Sequence, residues 1–378
     1  MEFWTVEQCC DILDSQRVPV TESERVKGRY PYYGANGVQD HVADFLFDDE
    51  LVLVAEDGGN FGSTTKPIAY RVSGKCWVNN HAHVLKPHED VNVDYLCYAL
   101  MYYPVGNMVN GTTRKKLNQA DLRKMKVPVR PVEAQEDIVR NIQNTETAIE
   151  NRKRVLALLD ELVKSRFVEM FGDPVINPHQ FPKELLKDIA EIKIGPFGSM
   201  LHRDDYVEGQ HALVNPSHIH GDVIVPDERL TVSEDRYQEL KPYHLRKDDI
   251  VLGRRGEMGR AAVVQENGML CGTGSLFIRM KEKVNPYFLQ KIITYPTFRQ
   301  YIESMSVGIT MQNLNTDMVS RFEIPIYPME LQNQFAAFVR EVDAAKAAAR
   351  REIAALETLR GKMMQEFFGV RAGVRAEG

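Results

Sequence analysis

Gly111-Thr112-Thr113-Arg114-Lys115-Lys116-Leu117-Asn118 returns 197 residues later as Gly308-Ile309-Thr310-Met311-Gln312-Asn313-Leu314-Asn315, sharing the pattern G-x-T-x-x-x-L-N. The same offset carries Val127-Pro128-Val129-Arg130-Pro131-Val132-Glu133-Ala134-Gln135 onto Ile324-Pro325-Ile326-Tyr327-Pro328-Met329-Glu330-Leu331-Gln332, and it reaches Phe171-Gly172 and Phe368-Gly369 without a gap. Chance similarity does not hold one register over about sixty residues, so the chain contains a duplication. The fronts match more loosely. Phe3-Trp4 with Asp11-Ile12 parallels Gln180-Phe181 with Asp188-Ile189 at an offset of 177, which leaves the first half about 20 residues shorter through its middle. A fixed tail beside a divergent middle points to one scaffold bearing two different recognition surfaces.

The fixed tail reads as helix. Ile138, Ile142, Thr145, Ile149, Arg152, Leu156, Leu159, Val163, Arg166 and Met170 follow heptad spacing. Their counterparts are Phe335, Val339, Val342, Lys346, Ala349, Ile353, Leu356, Arg360, Met363 and Phe367. Basic residues at Arg152, Arg166, Lys346 and Arg360 weaken a simple zipper but can set its alignment. Gly172 and Gly369 stand where helix stops are expected, and Pro174 reinforces the first. A helix of about 39 residues is roughly 58 Å long. Such a rod cannot bury an apolar stripe inside a small domain and needs a second helix. Its own duplicate is the economical partner, and a homodimer through the same stripe is the alternative.

Residues 1–130 and 174–327 lack long helical period. Short β-rich runs at Leu51–Ala55, Ile250–Leu252 and Ser275–Met280 alternate with Gly, Asn and Asp turns, and shorter helices are expected at Val93–Tyr102 and Pro286–Tyr301. The expected fold class is α+β: two α/β domains separated by two long helices that form an intramolecular coiled coil, with internal pseudo-twofold duplication. Loops of such modules carry recognition residues. The first half offers Lys27, Arg29, Tyr32, Tyr33 and Asn36, then Asn80 and His81, then Thr113, Arg114, Lys115 and Lys116. The second offers Ser199 and Arg203, then Arg254, Arg255 and Arg260, then Thr310, Met311, Gln312 and Asn313. Arg and Lys suit phosphates and guanine edges, Asn and Gln suit adenine edges, and aromatic rings stack. In the repeated segment the three residues before Leu-Asn change from Arg-Lys-Lys to Met-Gln-Asn, as different targets would require.

Composition narrows the classes. Over 378 residues, 47 Lys+Arg against 53 Asp+Glu give a net charge of −6, which argues against a non-specific nucleic-acid coat. Hydrophobic residues at 43% and charged residues at 26% exclude wholesale disorder. No apolar run approaches a membrane span, the N-terminus lacks signal-peptide character, and five cysteines without a C-x-x-C fit a reducing compartment, so a cytoplasmic protein is expected. No P-loop or dinucleotide turn is present: Gly253-Arg254-Arg255-Gly256-Glu257-Met258-Gly259 has the wrong spacing. Asn215-Pro216-Ser217-His218 lacks the second proline and ring of an amino-methyltransferase site. His81-x-His83 and His218-x-His220 have no nearby cysteines and read as core or surface histidines, and no metal site is expected.

With these parts placed, the whole chain resembles the specificity subunit of type I restriction-modification systems. The resemblance rests on Trp4 with Asp11-Ile12, Gly34-Ala35-Asn36-Gly37, Phe47-Asp48-Asp49-Glu50, the two Leu-Asn segments, the paired Pro-x-x-x-x-Gln segments ending at Gln135 and Gln332, and Met170-Phe171-Gly172-Asp173-Pro174. It implies target-recognition domains at 1–131 and 173–328, conserved helices at 132–172 and 329–370 that pack antiparallel as the coiled coil, and a flexible tail at 371–378. Each domain is then expected to read one half of a split DNA sequence. The implied partners are double-stranded DNA, two methyltransferase subunits and, where the complex also cleaves, two motor-nuclease restriction subunits. No membrane is expected among the partners. The chain itself is expected to be non-catalytic and to bind no cofactor, with S-adenosylmethionine, ATP and Mg on partner subunits serving adenine methylation or cleavage. Two alternatives belong to other classes: a self-sufficient DNA methyltransferase or nuclease with an unrecognised site, and a coiled-coil interaction scaffold that never touches DNA.

Overall fold

The computed structural model describes residues 2–111, 115–196, 200–256, 259–281, 284–305 and 313–369, apart from the Arg203 side chain. The chain divides into two compact units, one built from residues up to 156 together with those from 348 onward, the other from residues 157–347. Two helices of 40 residues each, Val132–Phe171 and Met329–Phe368, contribute to both.

Inside the first unit, Ile138 and Ile142 share one core with Met364 and Phe368. Arg360 reaches Glu146 at 3.7 Å, and Arg152 pairs with Glu352. Inside the second unit, Val163, Phe167 and Phe171 share a core with Phe335, Val339 and Val342. There Lys346, buried in the seam, reaches Asp160 at 2.5 Å. The start of each helix therefore meets the end of the other, and the stripe finds its partner within the chain as an antiparallel pair. The seam departs from the heptad reading in two ways. Arg152 is exposed and works through its ion pair. In the last turns the buried positions are Phe167, Phe171, Met364 and Phe368, one residue beyond the half-buried Arg166, Met170, Met363 and Phe367. The 3.6-residue period of a straight helix carries the buried face forward of a strict 3.5 repeat.

The repeated motifs prove to be joints. Gly172 (φ 73°) and Gly369 (φ 68°) take the left-handed conformation that stops a helix, and their amides bond Val168 and Gln365 at 2.8 and 2.9 Å. The preceding phenylalanines seat in equivalent places, Phe171 at 4.7 Å from the Phe288 ring and Phe368 at 5.0 Å from Tyr95. Gln135 and Gln332, both buried, accept from the amides of Asn92 and Asn285 at 2.9 Å. They donate to the Arg130 and Tyr327 carbonyls at 2.9 and 2.7 Å. Asn92 and Asn285 in turn cap the helices Val93–Met101 and Pro286–Thr294. Each glutamine thus locks the start of a long helix to its unit. In the Leu-Asn pairs, Leu117 and Leu314 are fully buried, while Asn118 and Asn315 cap the helices Gln119–Lys124 and Thr316–Ser320.

The first unit holds a six-stranded sheet in the order Cys10–Ile12, Ala82–Pro87, Phe47–Ala55, Ala69–Val78, Lys27–Gly34, Gly37–Val42. The second holds two four-stranded sheets. One runs Ala190–Ile194, Ser275–Met280, Ile250–Gly253, Ala261–Val263; the other runs Tyr206–Val207, Thr231–Val232, His211–Val214, Leu270–Cys271. The 177 offset of the fronts is corrected by strand pairing. Thr5 lies opposite Lys126 and Leu185 opposite Glu323, so Thr5 and Leu185 are the equivalent residues, at an offset of 180. Residue similarity at Phe3-Trp4 and Gln180-Phe181 misplaced the register because the backbone ladder, which aligns these strands, does not depend on side-chain identity. The helix expected at Pro286–Tyr301 is two, Pro286–Thr294 and Pro296–Met305. Pro296 has no amide to continue the first, and it forces Tyr295 into an extended conformation (ψ 140°).

Among the described residues no helix is long and apolar enough to cross a membrane. The glutamine joints yield a stability prediction. Gln332→Leu leaves the Asn285 amide and Tyr327 carbonyl unpaired, at roughly 1–3 kcal/mol for each, and Gln135→Leu has the same effect in the first unit. Urea unfolding midpoints of the two variants measure both losses.

Candidate nucleic-acid interface

In the first unit the strands Lys27–Gly34 and Gly37–Val42 form an edge hairpin that turns through Ala35-Asn36, with Gly37 at φ 106°. A side chain at Gly34 would collide with Gln39, a Cβ lying 2.2 Å from its Nε2. Beside this hairpin a concavity of about 500 Å³ is lined by Arg25, Tyr32, Gln39, Asn79, Asn80 and His81, with Pro19, Val20 and Thr21. Arg25 sits 4.3 Å over the Tyr32 ring, and the Asn79 amide donates to Gln39 Oε1 at 3.1 Å. Amides, an imidazole and a guanidinium in one groove are the groups that read base edges and hold phosphate.

The sequence candidates of this unit fall in different places. Asn80 is exposed at the groove, and His81 Nδ1 lies 2.8 Å from Asp57. Tyr32 lines the groove but is buried, its hydroxyl donating to the Val20 carbonyl at 3.2 Å, so it supports the wall and offers no free ring for stacking. Tyr33 packs against Tyr70 at 5.8 Å. Asn36 caps the hairpin, donating to the Gly58 carbonyl at 3.0 Å. Lys27 is exposed and bonded to Asp40 at 2.7 Å, and Arg29 lies over Tyr30 at 4.9 Å. Lys115 is exposed, and Lys116 reaches Glu56 at 2.8 Å. Thr113 and Arg114 lie outside the described residues. Arg25 and Gln39 were missed: each is a single polar residue in a strand or loop with no motif around it.

In the second unit a concavity of about 530 Å³ is lined by Tyr237, Gln238, Lys241, His244, Leu245, Arg246, Lys247 and Asn267. His211, Tyr237 and His244 stack with ring centroids 3.8 and 3.7 Å apart. Three cations and two amides around an aromatic stack suit a nucleic acid backbone and its bases. Sequence reading passed over this site, although Lys241-Pro242-Tyr243-His244-Leu245-Arg246-Lys247 mixes basic and aromatic residues within one short run. Of the candidates proposed for this unit, Arg255 is exposed and Arg260 donates to the Pro216 carbonyl at 3.2 Å. Arg254 is buried and turned inward, its Nε donating to the Leu314 carbonyl at 2.7 Å. Asn313 is half-buried. Ser199, Thr310, Met311, Gln312 and the side chain of Arg203 lie outside the described residues.

In the same unit, Asp14, Glu56 and His83 bring their oxygen and nitrogen atoms within 4.8 Å of one another. Arg17 meets Glu56 at 2.6 Å, Lys116 meets it at 2.8 Å, and the His83 ring lies 2.6 Å from Asp14 and 2.9 Å from the Leu117 carbonyl. The cluster balances its own charge. Burial pushes the Asp14 carboxyl up, but hydrogen bonding and the charge of His83 outweigh it and hold the group below its ordinary 3.8. Glu56 likewise stays below 4.5 because Lys116 and Arg17 overcome burial. Carboxyls lowered on folding stabilise the unit fully above those ordinary values, and that stabilisation fades as pH falls through the carboxylate range and below. Thermal midpoints should therefore drop on acidification below about pH 4.5, and Asp14→Asn, less stable at neutral pH, should show a flatter acid limb in the same titration.

The family model for the type I restriction modification DNA specificity domain matches residues 1–159 and again 183–358. A protein of Haemophilus influenzae assigned as a type I restriction enzyme specificity subunit is 27% identical, over 90% of this chain and 86% of its own. The MjaVIII specificity subunit of Methanocaldococcus jannaschii is 19% identical over 96% of this chain and 91% of its own. The crystal structure of a type I restriction-modification S subunit from M. genitalium has the same fold, with a TM-score of 0.64 and 17% identity over 97% of this chain and 96% of that one. The family matches on both sides of the duplication, as two copies of one scaffold require, and this chain belongs to the type I restriction modification DNA specificity domain family.

Proposed function

We propose that this chain reads a split DNA sequence, one half through each unit, and brings methyltransferase and restriction subunits to it without catalysing a reaction itself. The observation that carries this reading is the contrast between repeated joints and unrepeated grooves. Gln135 and Gln332, Phe171 and Phe368, and Asn118 and Asn315 make the same bonds in each copy. The grooves, lined by Arg25, Gln39, Asn80 and His81 in one unit and by Lys241, His244, Arg246 and Asn267 in the other, share no residue pattern. A frame that repeats while its surfaces differ is what two readers of unlike half-sites need. Joining two modest readers in one chain also raises the effective concentration of the second, giving tight split-site binding.

The long helices support two copies of a partner. Leu162 and Leu359, at equivalent positions, are each 47% exposed although large and apolar. Leu158 and Val168 extend the exposed stripe around Leu162. Equivalent apolar positions in each unit fit two identical subunits, which on this reading are the methyltransferases that hold S-adenosylmethionine, with Mg and ATP serving the restriction subunits.

Three measurements test the reading. The purified chain with DNA and S-adenosylmethionine should transfer no methyl group until the methyltransferase is added; turnover by the chain alone would overturn the non-catalytic role. Leu162→Glu and Leu359→Glu should each lower the bound methyltransferase from two copies to one, as read by native mass spectrometry of the complex. Lys115→Ala should weaken DNA binding and reduce the slope of log affinity against log salt by about one.

A further inference from the structure

Counting from the paired positions Val52–Leu85 and Ile250–Ile278, Glu56 and Arg254 occupy the same place, just past the ends of equivalent strands. The repeated leucines dock there. The Leu117 amide donates to the Glu56 carbonyl at 2.7 Å, and the Leu314 amide to the Arg254 carbonyl at 3.0 Å. Each leucine carbonyl is then taken by a buried side chain. His83 Nε2 lies 2.9 Å from the Leu117 carbonyl, and Arg254 Nε donates to the Leu314 carbonyl at 2.7 Å.

The two side chains are unrelated in type and come from different strands, yet they serve the same atom of the same repeated residue. His83 is oriented by Asp14, which also accepts from Gln119 Nε2 at 3.0 Å and from the Val84 amide at 3.0 Å. Arg254 is oriented through its own amide, which bonds the Gly274 carbonyl at 3.0 Å. A backbone carbonyl beside a fully buried leucine needs a donor, and either copy supplies one with whatever its strand carries there. The donor differs between the two copies and the bond is the same.

Resting on the split-site reading above, we propose that His83 and Arg254 are positioning residues. Each holds the Leu end of its copy of the Gly-x-Thr-x-x-x-Leu-Asn segment, and each governs discrimination in one half of the DNA target only. Neither touches DNA. Each acts by holding Leu117 or Leu314 to the sheet, and with it the residues on either side: Lys115, Lys116 and Asn118 in one unit, Asn313 and Asn315 in the other.

The test uses the chain assembled with its methyltransferase subunits and a pool of randomised DNA duplexes, selected by binding and sequenced. The wild-type complex should return two blocks of preferred bases. Arg254→Met, close in shape but without a donor, should lower preference about tenfold in one block and leave the other intact. His83→Leu should do the reverse. Arg254→Lys and His83→Gln, which keep a donor, should recover most of the lost preference, a rescue that loss of bulk alone would not allow. The proposal is overturned when both donor-free variants keep both blocks, when either erases both in a complex that still assembles, or when the donor-retaining variants rescue nothing. The two arms are independent, so a variant that fails to assemble leaves the other to decide. A wild-type complex that selects no bases defeats the split-site reading itself, and the proposal with it.

Discussion

A forty-residue amphipathic helix has no stable life alone in water: its apolar stripe must be covered along its whole length. Here the chain covers it with its own duplicate, running the other way, and every other feature follows from that pairing. An antiparallel pair places the beginning of one helix beside the end of the other inside each unit. That is why Phe368 packs on Tyr95 and Phe171 on Phe288. Each unit is closed by a helix end supplied from the opposite copy, so neither copy completes its core from its own continuous segment.

Polar atoms in the seam refine this arrangement. Lys346 is almost fully buried, and its charge is met by Asp160 across the pair, with Asp222 and Asp343 within 3.9 Å. An unpaired buried charge is far more costly than a lost apolar contact, so this site penalises any sliding of one helix along the other. Asp222 is also bound to Lys291 at 2.5 Å, and although burial pushes its carboxyl up, Lys291 together with Gln290 and Lys346 offsets this and holds it below the ordinary range. Alignment of the second unit's helices is thereby tied to the packing of its α+β module.

The repeat was visible in the residues themselves, and so were the helix stops at Gly172 and Gly369, because both depend on local chemistry. The functions of the repeated residues were not. Leu117-Asn118 and Leu314-Asn315 stood out only as the fixed end of the repeated segment, whereas one residue fills the core and the next caps a helix. Arg254 read as a phosphate ligand by its type, yet its guanidinium faces a backbone carbonyl. Tyr32 read as a stacking ring and is part of a wall. A residue's type limits what it can bond, but direction is set by the strand face it lies on and by what the neighbouring strand presents. The groove residues Arg25, Gln39 and Asn267 were silent for the same reason: they come from separate loops and strands and acquire meaning only by meeting.

By itself the sequence determined the duplication, the two long helices with their ends, and the existence of two divergent α+β modules. Each of these is encoded by short-range periodicity or by register along one chain. Tertiary structure settled the choice the sequence left open between pairing within the chain and a homodimer, and it alone decided that the fronts align at 180 and not 177, and which polar residues converge in the two grooves. Those outcomes depend on contacts between residues far apart in sequence, where hydrogen-bond geometry and the exclusion of water choose among partners that residue type leaves equivalent.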